Sequence, residues 1–149
     1  MKRGLIKLSS ILILFETKHR KSLLECLEKY LDNRKLNGIS KEQYLLLCKA
    51  QNIEPNPELI PVDFSDFPDI VHIAFEIYNQ LEDRFQFVNM EKPAVFIGKE
   101  KSILKFLFDD IYLIHSQYEK KLILEILNII DKHAVKTAID KLKQKRNMR

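Results

Sequence analysis

Apolar residues recur every three or four positions over much of the chain, and that spacing predicts helices. From about Thr17, Leu23, Leu27, Tyr30 and Leu31 fall on one face, with Lys21, Glu25, Glu28, Lys29 and Asp32 off it. Asn37-Gly38 would end this helix, because both residues tolerate left-handed backbone. Ser40 with Gln43 three positions on forms a capping box. It opens a short helix whose apolar residues are Tyr44, Leu45, Leu47 and Cys48, ending near Gln51-Asn52. Ser65 or Asp66 is expected to cap a helix over about 67–83, with Pro68 at or near its first position. Its face is Ile70, Ile73, Ala74, Ile77, Tyr78 and Leu81. A further helix is predicted from Glu100 or Ser102 to Leu113, with Ile103, Phe106, Leu107 and Ile111 inward. Ser116 with Glu119 is a second capping box. It opens the longest helix, 117–143, whose face holds Leu122, Ile123, Ile126, Leu127, Ile130, Ala134, Ala138, Ile139 and Leu142.

Three stretches break the helical spacing. Residues 5–15 are apolar and β-branched, and so short a run reads equally as a strand or as helical turns. Residues 85–88 and 94–97 are able to pair as a hairpin across 89–93, with Gly98 ending it. Between 55 and 68 stand Pro55, Pro57, Pro61 and Pro68, each removing a backbone donor and extending the residue before it. This is an ordered extended loop or a linker, and Leu59, Ile60, Val62, Phe64 and Phe67 argue that it packs on something. The pattern predicts a mainly α protein: a small helical domain of four to five helices with room for a short β-hairpin. Residues 1–38 form a basic N-terminal helical or extended segment, and 39–149 the helical domain with a basic C-terminal tail.

Composition agrees. The 149 residues suit one domain, or one with extended ends, and only three glycines disfavour a many-turned β fold. Charge adds more. Residues 1–40 carry nine Lys/Arg against four Asp/Glu, residues 41–130 nine against fifteen, and residues 131–149 seven against two. The stretch 54–83 has eight acids and no Lys or Arg. The overall +4 hides this basic–acidic–basic layout, which bears on partners rather than on fold. Cys26 and Cys48 are too few for a disulfide framework and read as reduced, buried, intracellular thiols. Lys2 and Arg3 before an apolar stretch imitate a signal peptide weakly, but Lys7, Ser9 and Ser10 break the run and no small-x-small site follows. No run of 18 apolar residues exists, so no membrane span or membrane partner is expected.

Candidate chemistry thins out on inspection. Gly98-Lys99 with Ser102 lacks the earlier glycine of a phosphate loop, since Pro93 stands there and Glu100 replaces the Ser/Thr after the lysine. A strand end with a solvated lysine is expected instead. His72 and Glu76 share a helix face, yet a zinc site needs three or four ligands and no other spacing supplies them. Asp109-Asp110 before His115 read as a helix end and a loop. The acids of 54–83 lack the alternating spacing and central glycine of a calcium loop and read as an acidic surface. Neither a cofactor nor a small-molecule ligand is expected. The C-terminal Lys141, Lys143, Lys145, Arg146 and Arg149 exceed what a helix dipole favours, and suit sequence-independent phosphate contact without stacking aromatics.

Residues 39–85 combine a Tyr-containing helix, the segment Glu54-Pro55-Asn56-Pro57, a short acidic stretch and a Phe67-Pro68 helix start. Together with Ile97-Gly98-Lys99 and the apolar helix after it, they resemble small uncharacterised proteins of tailed bacteriophages over residues 39–135. The resemblance implies a phage context, in the host cytoplasm or the virion, and transfers no catalytic residue. The expected function is non-enzymatic: an interaction or assembly protein with a protein partner, self or foreign. The basic tail is one contact, and Leu59, Ile60 and Phe64 are the buried part of another. The alternative is a sequence-independent nucleic-acid-associated protein using the basic tail.

Overall fold

A computed structural model describes residues 19–33, 38–87 and 89–148; the expectations for 5–15, Asn37, Val88 and Arg149 lie outside the described residues. The chain is mainly helical, with a single two-stranded hairpin among the described residues. It divides into two compact units, Met1–Phe64 and Ser65–Arg149. Residues 38 and 39, between which the sequence reading divides a basic segment from the helical domain, both lie in the first.

In the first unit, residues 19–33 are helical (α1) and bury Leu27 and Leu31, with Leu23 and Tyr30 half-buried and the five charged positions exposed. Gly38 is tied back to the last described residue of α1. Its N–H donates to Asn33 O at 2.9 Å, while Asn33 Nδ2 donates to Ile39 O at 3.3 Å. Asn33 therefore wraps around Gly38, and a Cβ there would collide with the Asn33 side chain. Helix α2, Lys41–Ala50, opens with the full capping box: Gln43 N donates to Ser40 Oγ, and Ser40 N donates to Gln43 Oε1. It closes as a Schellman motif. Asn52, at φ 52°, donates to Lys49 O, and Ile53 N donates to Cys48 O. Of its apolar residues, Cys48 is buried and Tyr44 half-buried, but Leu45 and Leu47 are exposed, as is Leu46. Three consecutive leucines sweep about 200° around a helix and cannot share one side. The proline-rich segment is ordered by side chains. Tyr44 Oη accepts from Asn56 N at 3.3 Å, Asn56 Oδ1 accepts from Glu58 N at 3.0 Å, and Phe64 stacks on Tyr30 with centroids 6.0 Å apart.

A 3-10 turn, Phe64–Asp66, precedes helix α3, Asp69–Gln80. Neither Ser65 nor Asp66 caps it. Pro68 is the N-cap, in extended backbone, and helix begins only after it. Proline keeps Phe67 out of helical geometry, which holds the start at Asp69 rather than 67. The buried face is Val71, Ala74, Ile77, Tyr78 and Leu81, with Ile70 and Ile73 only half-buried. Leu81 turns extended and leads into the hairpin, β1 (Asp83–Gln86) antiparallel to β2 (Val95–Lys99). Gly98 does not end the hairpin. It lies within β2 at φ 119°, opposite Arg84, while Phe85 pairs with Phe96, so Ile97 is the extra residue of a bulge.

The segment after β2 departs furthest from expectation. One α-helical turn, α4 (Leu104–Phe106), widens into a π-helical stretch, Leu107–Ile111. Ile103, Phe106 and Ile111, expected inward, are exposed, and Leu104, Leu107, Phe108 and Ile114 are buried. Leu104, Leu107 and Phe108 form one helical face that leaves Ile103 and Phe106 outside it, and the residue inserted by the π turn takes Ile111 off the same face. Tyr112 N donates to Leu107 O at 2.8 Å, and Leu113 takes φ 53° so that Ile114 N reaches Phe108 O at 2.7 Å. Helix α5, Gln117–Asn147, runs 31 residues and starts where Ser116 Oγ accepts from Glu119 N. It packs against α3 and β2. Leu122, Ile123, Ile126, Leu127 and Ile130 are buried, but Ala134, Ala138 and Leu142 are half-buried and Ile139 is exposed. The inward stripe expected over the whole helix is buried only in its first half.

Candidate functional site

A polar cluster stands where α3, β2 and α5 meet. Asp131 Oδ1 accepts from Lys99 N at 2.9 Å and from Tyr78 Oη at 3.2 Å. Its Oδ2 pairs with Lys101 Nζ at 3.6 Å, and Lys101 Nζ also donates to Asn128 Oδ1 at 2.9 Å. The Gly98 backbone comes so close that a Cβ would stand 2.6 Å from Asp131 Oδ2, so the bulge glycine admits the carboxylate. Lys99 is not the solvated lysine of the sequence expectation. Its Nζ donates to Leu81 O at 3.1 Å, pairs with Asp83 Oδ1 at 2.5 Å and lies 5.0 Å from the centre of the Tyr78 ring. Burial, then the neighbouring Asp131 carboxylate, push the Tyr78 phenol well above the usual tyrosine range. The donors and acceptors of this cluster are taken up by one another, which makes it a fastener of hairpin to helices. Sequence spacing gave no hint of it, because its members are spread over α3, β1, β2 and α5.

The residues considered for chemistry take separate structural roles. His72 Nε2 lies 3.1 Å from Phe67 O, and Glu76 Oε2 accepts from Tyr112 Oη at 3.4 Å. Asp109 Oδ1 pairs with Lys120 Nζ at 3.0 Å, a hydrogen bond that holds the carboxyl below the ordinary aspartate value. His115 is exposed in the loop before α5. Among the described residues, no three His, Cys, Asp or Glu side chains cluster as metal ligands would. Cys48 is buried and Cys26 half-buried, both as free thiols.

The residues expected to meet partners are arranged as follows. Lys141, Lys143, Lys145 and Arg146 are all exposed on the last turns of α5; Arg149 lies outside the described residues. The structure adds Lys132 and Lys136, exposed on the same helix and one turn apart. They stand outside the denser run KLKQKR; the spacing of 4 from Lys132 to Lys136 and of 7 from Lys136 to Lys143 is the signal the sequence carries for them. In the other unit, Leu59 is 64% exposed, Ile60 is half-buried, and Phe64 is half-buried against Tyr30. All eight acids of 54–83 are exposed. No described helix is long and apolar enough to cross a membrane. No family model, no curated protein and no solved structure matches the chain.

Proposed function

We propose that this is a non-enzymatic interaction and assembly protein that docks partners through its segregated charges. The observation that carries the reading is the course of α5. Its last buried residue is Ile130, yet the helix continues to Asn147 with Lys141, Lys143, Lys145 and Arg146 all exposed. A regular helix that outruns its own core and bears cations is a contact element, and such charges set encounter and specificity more than raw affinity. The exposed acids of 54–83 supply charge of the other sign, and Leu59 beside half-buried Ile60 supplies apolar contact. Phe64 contributes less, since Tyr30 already covers one of its faces. The resemblance over residues 39–135 supports a tailed-phage setting, as a virion component or assembly factor. Sizing the purified protein by light scattering at low and high salt tests this. A salt-sensitive oligomer means head-to-tail self-docking of basic end on acidic middle. A monomer throughout means a foreign partner, whose capture should be lost when Lys141, Lys143, Lys145 and Arg146 are reversed to Glu. Retention of every contact by that variant would refute the reading.

A second reading has its own support. Beyond Asp131, the exposed turns of α5 carry one carboxylate, Asp140, against six Lys and Arg, a balance suited to nucleic-acid phosphates.

A further inference from the structure

We propose that the outward face of distal α5 is a track for the phosphate backbone of duplex nucleic acid, formed by Lys132, Lys136, Lys143 and Arg146. This rests on the second reading above and narrows it to one side of one helix. Successive residues of an α-helix turn by about 100°, so these four side chains fall within an arc of about 80°. All four are exposed. Along the axis they span about 21 Å, the length of roughly six base pairs. Lys141 and Lys145 lie about 140–180° around the helix from the middle of that arc, and so face away from whatever the track holds. The cations of the terminal run are thus not one patch but two opposed sets, and the track takes only half of them while adding two lysines from outside the run.

Two features favour duplex phosphate over a lipid surface. A helix lying in a membrane interface needs large apolar side chains beside its cations. Over residues 131–147 only Ile139 is a large, exposed apolar residue. The cations are also strung in single file, which matches a line of phosphates better than a plane of headgroups. The track contains no aromatic side chain, so it would hold the backbone without reading bases.

The opposed sets provide an internal control. Lys132→Gln with Lys136→Gln removes two charges from the track, and Lys141→Gln with Lys145→Gln removes two from the far side, at identical net charge. Binding of the full chain to a short mixed-sequence DNA duplex is measured by fluorescence anisotropy across a salt series, with circular dichroism confirming equal helix content. The track pair should weaken binding about tenfold or more at low salt and flatten the slope of log K against log salt by about two. The far-side pair should change affinity less than about twofold. Equal losses from both pairs would overturn the track while leaving a generally basic tail in place. No duplex binding by the unaltered chain would overturn it outright and leave protein docking standing. Preference for phosphatidylserine-containing vesicles over duplex would also overturn it, in favour of a lipid surface.

Discussion

From Gln117 to Ile130, α5 buries Leu122, Ile123, Ile126, Leu127 and Ile130; from Asp131 to Asn147 it carries Ala134 and Ala138 on the same side, with Leu142 at its edge, and buries none of them fully, while Ile139 falls on the opposite, exposed side. The two halves have the same backbone and nearly the same periodicity. What differs is the cover. The first half lies where α3 and β2 pack, and Asp131 is the residue at which β2 is fastened to the helix. Beyond it, where Ala134, Ala138 and Leu142 are half-buried, local terms favour the helix: Ala, Lys, Leu and Gln are good helix formers, and Lys145 and Arg146 complement the negative end of the dipole. Periodicity therefore marks where a helix can be covered, and topology decides where it is.

The sharpest break in this comparison is a carboxylate placed on each half. Ile126→Asp puts a charge at a position with no exposure and should cost about 4–5 kcal/mol or more, leaving the chain unfolded or insoluble. Ile139→Asp, at a position 38% exposed, should cost less than about 1 kcal/mol. Chemical denaturation of both variants checks this. Equal, small effects would mean that the proximal stripe is not the core.

Next in size is the fastener that separates the halves. Asp131→Ala strands the Lys99 N–H and the Tyr78 hydroxyl and should cost about 1–3 kcal/mol. Gly98→Ala, which meets Asp131 and needs φ 119°, should fall in the same range. The fastener also has a pH signature. Because the folded phenol of Tyr78 is raised, its contribution is complete below the ordinary tyrosine value and is lost as pH rises above it. Ultraviolet titration should show one of the five tyrosines ionising only as the protein unfolds.

Smaller effects test the start of the covered half. Ser116→Ala removes the acceptor for Glu119 N and should cost about 1 kcal/mol by thermal melting. Asp109 is held below its ordinary value by Lys120, so its contribution is present at neutral pH and is lost as pH falls through the folded value. Asp109→Asn should flatten the acid limb of stability slightly, and a steeper limb would contradict the pairing.

Much was legible from residue types alone. The Ser40–Gln43 box, the Ser116 cap, the Asn52 terminus, the hairpin and the long helix rest on contacts within a few residues, or on one repeated spacing. The misjudged faces fall where a local rule was outvoted by packing. At 104–111 a π turn took Ile111 off the face, in α2 a run of leucines had no single side, and before α3 proline took the cap from Ser65 and Asp66. The candidate contact surface was half visible: the terminal cations stood out as composition, whereas Lys132 and Lys136 join them only once the helix is known to be exposed on that side.

By itself the sequence determined the mainly helical class, the helix starts with side-chain caps and the segregation of charge, because propensity, capping and net charge are properties of short stretches. Tertiary structure alone decided that Gly98 sits in a bulge beside Asp131, that Lys99 is held by Tyr78, Leu81 and Asp83, and that α5 is covered as far as Ile130. Each of those depends on residues far apart in the chain arriving at one place, and only the packing of α3, β2 and α5 brings them there.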